Sequence, residues 1–398
     1  MTPGPGSVTG VMPGEIALLG VPTNSSGTAD GVARAPAVLR QRGLAAALAR
    51  WPGFTDVGDL VLPARRPARG PSGLLAEEAL VTMIGQVRDA VAAARGSGRF
   101  PLLVGGDCPV ILGALAALQA DRGRPGLLFV DGHEDAWPPR LSPTGEAADS
   151  ELGLALGLFD ADLDVRLRAV LPRISAAAVV AVGPRDEAEL ASAGVRSLQG
   201  HVRALIRPAE LTASDLAEQL GALPAPWWLH TDLDVLATRE LAAVDYPQPG
   251  GLDWNQLSDV TTAALAAYGC AGWSVCIYNP DLDPAHEGAD KIISYITRVV
   301  TTAGRPQRLA HPSRRSALHE GSPGGVAVHE HDRASVAWPF VDVLHPPAGR
   351  GEPAGPVRPR PAERPVHVGW DGYCYLPLAR PRGAGRRAAA GRTYLGRR

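Results

Sequence analysis

Short apolar runs alternate with longer stretches of helical periodicity between Ile16 and about Val300. The strand-like runs are IALLGV, FTDVGDL, PLLVGG, GLLFVD, AAVVAVG, WWLHTD and AGWSVCI. The helical stretches are APAVLRQRGLAAALAR, EEALVTMIGQVRDAVAAARG, PVILGALAALQAD, SELGLALGLFD, PAELTASDLAEQLGAL, NQLSDVTTAALAAYG and GADKIISYITRVV. Continuous apolar strands that alternate with helices are typical of a parallel sheet covered on both faces. The pattern therefore predicts an α/β domain with a central, mostly parallel sheet.

Polar side chains follow three of these predicted strands at the point where each strand ends. They are Asp107 and Cys108 after PLLVGG, Asp131, His133 and Asp135 after GLLFV, and Asp232 and Asp234 after WWLHT. Ligands of open α/β sheets bind beyond the carboxyl ends of the strands. We therefore expect these side chains to meet at one edge of the sheet.

A divalent metal explains this grouping. In an extended segment, Asp131, His133 and Asp135 point to the same side because side chains alternate between faces. Carboxylates held that close repel each other unless a cation lies between them, and an imidazole completes a common ligand set. For this segment taken alone, a solvated turn with a capping Asp and an incidental His is the better explanation, but such a turn would have to occur at three strand ends. With five acids at these ends, we predict two cations and hydrolytic chemistry, since paired metals acidify a shared water.

Composition sets the class of protein. The 398 residues are 45% hydrophobic, which suffices for a packed core, and no apolar run approaches the roughly 20 residues that span a bilayer. The N-terminal residues MTPGPGSVTG lack the basic and apolar regions of a signal peptide, so we expect a cytoplasmic protein. The four cysteines show no CxxC spacing and are expected to be reduced thiols.

The two ends of the chain differ from the rest. Residues 1–13 are expected to be flexible. Residues 304–398 hold 16 Arg against 7 acids, a balance of +9, so the net charge of −2 leaves −11 for residues 1–303. This Pro- and Arg-rich segment shows no periodicity, and three explanations remain open: a disordered tail, a patch for a polyanion, or a shifted reading frame. Its aromatics are too local for a base-stacking surface, so nucleic-acid binding is not expected.

Five segments together resemble the ureohydrolase family of arginases and agmatinases. They are LLGVPTNSSGTADGVARAPAVLRQRGL, GGDCPVILGAL, LFVDGHEDAW, TDLDV with PGGL, and YNPDLD, within residues 14–303. The resemblance implies a three-layer α/β/α fold, trimers or hexamers, and hydrolysis of a C–N bond of a small guanidino or amidino molecule by a metal-bridging hydroxide. It also implies two Mn²⁺ ions held by Asp131, His133, Asp135, Asp232 and Asp234, with Asp131 and Asp232 as bridging candidates.

Three positions depart from the family pattern. Cys108 stands where the family usually has a His, and a thiolate ligand there would favour Zn²⁺ or Fe²⁺ over Mn²⁺. It would otherwise be a nucleophile or a buried thiol without a role. Ala148 replaces a proton-shuttling His of arginases, which leaves Glu146 and Asp149 as nearby acids. Ile277 replaces the acid that binds the guanidinium group, and Asp281 or Asp283 would have to substitute unless they only cap the last helix.

The predicted catalytic groups are Glu146, as the acid that protonates the leaving amine, with Asp135 and His230. His230 alternatively serves as a core or supporting histidine. Asp186 either caps a helix or lines the pocket, and Trp137 either walls the pocket or packs in the core. Two other functions remain open: a non-catalytic binding or assembly protein, motivated by the three departures, and a metal-dependent amide or ester hydrolase, which the missing acid permits.

Overall fold

A computed structural model describes residues 15–63 and 66–304 of the protein. Within these ranges eight strands form one sheet, and every neighbouring pair of strands is parallel. The strands are β1 Ile16–Val21, β2 Thr55–Asp59, β3 Phe100–Gly105, β4 Gly126–Val130, β5 Val179–Val182, β6 Ala204–Ile206, β7 Trp227–Asp232 and β8 Cys270–Cys276. Their order across the sheet is β2-β1-β3-β8-β7-β4-β5-β6. The predicted α/β fold with a parallel sheet is confirmed.

Ten α-helices accompany the sheet in the described ranges. They are α1 Ala35–Gln41, α2 Leu44–Leu48, α3 Glu77–Gly96, α4 Val110–Arg122, α5 Glu151–Leu156, α6 Val165–Val170, α7 Glu187–Ser192, α8 Ala213–Ala222, α9 Trp254–Ala266 and α10 Glu287–Ala303. The first predicted helical stretch is divided in two because Gly43 adopts a left-handed conformation, with φ of 104°. Strand β6 and helices α6 and α7 were not predicted, since each has only three to six residues.

The core follows from the strand sequences. Every residue of β1, β3, β4 and β7 is buried, as their continuous apolar runs predict for a sheet covered on both faces. Strand β2, with the sequence TDVGD, lies at the sheet edge and is partly exposed, and its acids there discourage pairing with another chain. Helices α3 and α4 pack closely because a Cβ at Gly113 would lie 2.6 Å from the Val87 Cβ.

Two predictions fall on the chain ends. The flexible N-terminus, residues 1–13, and the Pro- and Arg-rich segment 304–398 lie outside the described residues, apart from Gly304. In the part of the chain that is described, no helix combines the length and the hydropathy needed to cross a bilayer.

Candidate metal centre and cavity

Ligand-type side chains gather at the carboxyl edge of the four central strands. Asp107 and Cys108 follow β3, Cys276 ends β8, Asp232 ends β7, and Asp131 follows β4. The turn after β3 depends on Gly106, because a Cβ there would lie 1.9 Å from the carbonyl oxygen of Thr23. Asp107 is then fixed by the backbone N–H groups of Ser25 and Cys108, which donate to its two oxygens at 2.5 and 3.0 Å.

The three polar residues after β4 converge, but not in the extended form that their alternation predicts. The strand ends at Val130, and the segment that follows is irregular. Asp131 accepts a hydrogen bond from the backbone N–H of His133 at 2.8 Å, and Asp135 adopts a φ of 43°. A turn closed by the Asp131 side chain therefore brings these three together, with ligand atoms within 4.8 Å of one another.

The two acids at the end of β7, Asp232 and Asp234, are held by hydrogen bonds, and Asp234 contacts the loop that follows β4. Asp232 accepts from the backbone N–H of Asp234 at 2.7 Å, and Asp234 accepts from the backbone N–H of Gly132 at 3.0 Å. The second oxygen of Asp234 lies 2.9 Å from His133 Nδ1. The oxygens of Asp131, Asp232 and Asp234 also lie within 4.8 Å of one another. The predicted metal-ligating acids and His133 thus form one cluster.

The cluster carries more negative charge than its surroundings can stabilise. Burial raises the pKa of Asp131, Asp135 and Asp232 well above the usual range, and neighbouring carboxylates add to the effect. Burial also acts to raise the pKa of Asp234, but His133 outweighs it and leaves that pKa below its ordinary value. Asp131 Oδ2 is buried and has no hydrogen-bond partner among the described residues. A divalent cation would satisfy this oxygen and offset the charge, so the residues fit a metal.

A cavity of about 260 Å³ opens above the cluster. Its lining includes nine carboxyl groups and His133, and no Lys or Arg of the described chain lines it. Asp135, Asp232 and Asp234 reach it from the cluster, and Trp137 and Asp186 lie in its wall. For both residues, the sequence left open whether they line the pocket or have a purely structural role, and both line it. An acidic lining of this kind favours a positively charged group.

Glu146 lies in the cavity wall, as predicted for an acid near the missing histidine. Burial raises its pKa to about 8, and the charges of Asp107, Asp149 and Asp245 contribute. Asp149 Oδ2 accepts hydrogen bonds from the hydroxyls of Ser142 and Thr144, the latter at 2.6 Å. Burial raises the pKa of Asp149 as well, but these two hydrogen bonds oppose the rise, so Glu146 is the better candidate for an acid that holds a proton.

Ile277 also lines the cavity, so the apolar replacement faces the substrate space. Asp281 and Asp283 do not line it: Asp281 pairs with Arg34, and Asp283 accepts from the Tyr278 hydroxyl and the Ala289 N–H near the start of α10. The capping interpretation fits Asp283, which accepts from a backbone N–H at the start of α10, but not Asp281, which pairs with Arg34 and accepts from the Gly31 N–H.

Asp245 supplies a carboxylate that sequence reasoning missed. It lies in the cavity wall and accepts from Asn279 Nδ2 at 2.6 Å. The only sequence signal was its place between the motifs TDLDV and PGGL.

Cys108 and His230 lie below the cavity and do not line it. Cys108 Sγ lies 2.8 Å from Asp232 Oδ2, and burial raises the thiol pKa well above its usual range, which argues against a nucleophile. His230 is fully buried and stacks on Phe129, with ring centroids 5.4 Å apart. A direct catalytic contact between His230 and a substrate in the cavity therefore does not fit its position. Cys276 and Glu151, which sequence analysis missed, lie beside these two residues.

Comparison with known proteins agrees with this arrangement. A family model described as "Arginase family" matches residues 14–301. The arginase of Bacillus caldovelox is 28% identical over 252 residues, which is 61% of this chain and 83% of that protein. The N(omega)-hydroxy-L-arginine amidinohydrolase of Streptomyces lavendulae is 30% identical, over 54% of this chain and 74% of that protein. The solved structure of the Bacillus caldovelox arginase superposes with a TM-score of 0.62 at 24% identity, covering 74% of this chain and 99% of that one, and supports the fold.

Proposed function

The chain belongs to the arginase family, and on that premise we propose that it is a metal-dependent hydrolase that cleaves a C–N bond of a small guanidino or amidino compound. The observation that carries the proposal is the cavity, in which nine carboxyl groups lie directly over the buried cluster of acids and His133. A guanidinium or amidinium group is a planar cation whose N–H groups match carboxylate acceptors. The names of the two relatives place their substrates in the same class.

Five residues would hold two divalent cations in this proposal. They are Asp131, His133, Asp135, Asp232 and Asp234. Carboxylate and imidazole ligands suit Mn²⁺, and Cys108 beside Asp232 adds a softer atom that suits Zn²⁺ or Fe²⁺. Bound cations would supply Lewis-acid polarisation and a water whose pKa is lowered towards neutrality.

Asp245 is proposed to hold the cationic end of the substrate. Ile277, in the same wall, has no charge to pair with a guanidinium group. The Asp245 carboxylate is fixed by Asn279, so it binds a cation without first losing side-chain freedom. Asp245 would thereby take the place of the family acid that Ile277 replaces, and the substrate could still be a guanidino or amidino compound.

Glu146 is proposed to hold the proton that the leaving amine takes up. A neutral carboxyl group in the cavity wall donates a proton to a nitrogen that becomes basic as the C–N bond breaks. Burial raises the pKa of Glu146 to about 8 in the metal-free protein, which favours the protonated form near neutral pH. Trp137 and Ile277 provide apolar wall that limits access of competing water.

The test is a panel of arginine, agmatine and N-hydroxy-arginine with Mn²⁺-loaded and Zn²⁺-loaded protein, followed by urea and ammonia release. Turnover of at least one compound is expected. Asp232→Asn should abolish it, whereas Asp259→Asn, the same change at an exposed site on α9, should not. Absence of turnover on the whole panel with two ions bound per chain would refute the guanidine hydrolase and favour a non-guanidine substrate or a binding role.

A further inference from the structure

A second group of ligand atoms lies beneath the cavity floor. Cys108 Sγ, Cys276 Sγ and a ring nitrogen of His230 all lie within 4.8 Å of one another, and all three residues are buried. The register of the sheet brings them together: β7 and β8 align Asp232 with Cys276 and His230 with Ser274, so these side chains share one face. Cys108 approaches from the turn after β3, the other neighbour of β8.

We propose that Cys108, Cys276 and His230 bind one Zn²⁺ ion below the substrate cavity. Two thiolates and an imidazole supply three of the four ligands that Zn²⁺ takes tetrahedrally, and Glu151, which groups with Cys108 and His230 but not with Cys276, is the candidate for the fourth. The inference rests on these residues and not on the hydrolytic reaction.

His230 has the orientation of a metal ligand. Its Nδ1 lies 2.8 Å from Ser274 Oγ, and its Nε2 is buried with no hydrogen-bond partner among the described residues. Ser274 Oγ also accepts from Trp228 Nε1 at 3.0 Å, and a hydroxyl oxygen has the lone pairs to accept from both rings. An Nδ1–H that donates to Ser274 leaves the lone pair of Nε2 available, which is the usual arrangement of a metal-bound histidine.

Glu151 is the second unsatisfied group. It begins helix α5, is fully buried, and neither of its oxygens has a hydrogen-bond partner among the described residues. Asp131 and Asp135 are its acidic neighbours, and the charge of Asp131 makes an unshielded carboxylate at this depth more costly. Ligand atoms of Glu151, Asp131, Cys108 and His230 lie within 4.8 Å of one another, in a group that does not include Cys276. A cation at this point satisfies the carboxylate and the imidazole together.

The backbone leaves room for the second sulfur. A Cβ at position 105 would lie 2.6 Å from Cys276 Sγ, so the glycine at the end of β3 gives the thiol its space. The resulting site is sulfur-rich, whereas the groups Asp131, His133, Asp135 and Asp131, Asp232, Asp234 above it offer oxygen and nitrogen atoms. The two sites differ in softness and should select different metals.

The test uses the full-length reduced protein, stripped with a chelator and refilled with Co²⁺, which reports thiolate ligation by a sulfur-to-cobalt charge-transfer band in the near ultraviolet. Two thiolates should give a strong band, and zinc analysis should give one tightly held Zn²⁺ per chain. Binding of Co²⁺ to the stripped protein should release the thiol protons, and Zn²⁺ should then displace Co²⁺ and remove the band stoichiometrically.

Cys276→Ser should cut the band by half or more and lower zinc affinity at least tenfold. Cys270→Ser is the matched control, because Cys270 lies at the other end of the same strand, with its Sγ 3.8 Å from the Gly272 carbonyl oxygen. His230→Gln, a second variant, should lower zinc affinity without removing either sulfur. Circular dichroism verifies that each variant is folded.

Three results would overturn the site: no charge-transfer band in the native protein, an undiminished band and zinc content in Cys276→Ser, or a Cys108–Cys276 disulfide in the freshly isolated protein. The outcomes also separate this proposal from the hydrolytic one. A cobalt–thiolate band without turnover contradicts only the hydrolase, and turnover without the band contradicts only the zinc site.

Discussion

Replacing Glu146 by glutamine separates the charge of this side chain from its shape. Its pKa is raised from 4.5 to about 8, so between these values the folded protein binds a proton that the unfolded chain releases. Stability therefore falls as pH rises through this window. A shift of about 3.5 units at 1.36 kcal/mol each corresponds to roughly 5 kcal/mol at full ionisation, of which about 4 kcal/mol develops between pH 5 and 9.

The assay is urea unfolding of the chelator-treated protein at pH 5, 7 and 9. A glutamine remains neutral, so we expect the free energy of unfolding of Glu146→Gln to exceed that of the wild type by an amount that grows by about 4 kcal/mol from pH 5 to pH 9. Glu218→Gln, an exposed site on α8, is the control and should follow the wild type. If the free energy of unfolding changed with pH in the same way in the wild type and in Glu146→Gln, the raised pKa of Glu146 would be refuted.

The same variant tests the proposed proton donor. We expect kcat to fall by about 10² to 10⁴, the usual contribution of a general acid. In the wild type the rate should decline as pH rises and Glu146 loses its proton. An unchanged rate in Glu146→Gln would transfer the role to another group, whatever the unfolding data show.

Three further changes test the rest of the site. Asp245→Asn should raise KM for a cationic substrate roughly 10- to 100-fold, as expected for loss of a charged hydrogen bond, and an unchanged KM in steady-state kinetics would contradict its role. Gly106→Ala should cost about 3 kcal/mol in urea unfolding because its Cβ meets the Thr23 carbonyl, whereas Gly85→Ala, whose Cβ meets nothing within 4 Å, should not destabilise. Ser274→Ala should weaken zinc binding about 10- to 100-fold in a chelator competition, and equal affinity would remove Ser274 as the residue that orients the ligating histidine.

The sequence predicted those parts of the protein that depend on local pattern. Seven apolar runs predicted seven of the eight strands of the described chain, and the three-residue β6 was too short to show a period. The grouping of Asp131, His133 and Asp135 was predicted, but the mechanism was wrong: a turn with Asp135 at positive φ replaces the extended alternation.

The group of Cys108, Cys276 and His230 beneath the cavity could not be predicted from the local sequence pattern. Cys276 stood in an apolar run and Glu151 at the start of a helical stretch, where each resembles ordinary core or surface sequence. Their proximity to Cys108 depends on strand order, which places β8 between β3 and β7. From sequence order alone, β4 would be expected beside β3, but β8 and β7 lie between them. The local sequence therefore did not indicate that these side chains meet.

This strand order has a consequence for folding kinetics. Strands β3, β8, β7 and β4 are neighbours in space, yet they come from residues 100 to 276, and Cys108 and Cys276 are separated by 276 − 108 = 168 positions. The central pairings therefore close long loops, which slows folding and leaves strand edges exposed until late. A metal ion that joins the turn after β3 to the end of β8 binds only a chain whose last strand has already been inserted. Metal supply during synthesis would then act on the final step of assembly, and its shortage would favour aggregation over a folded, inactive protein.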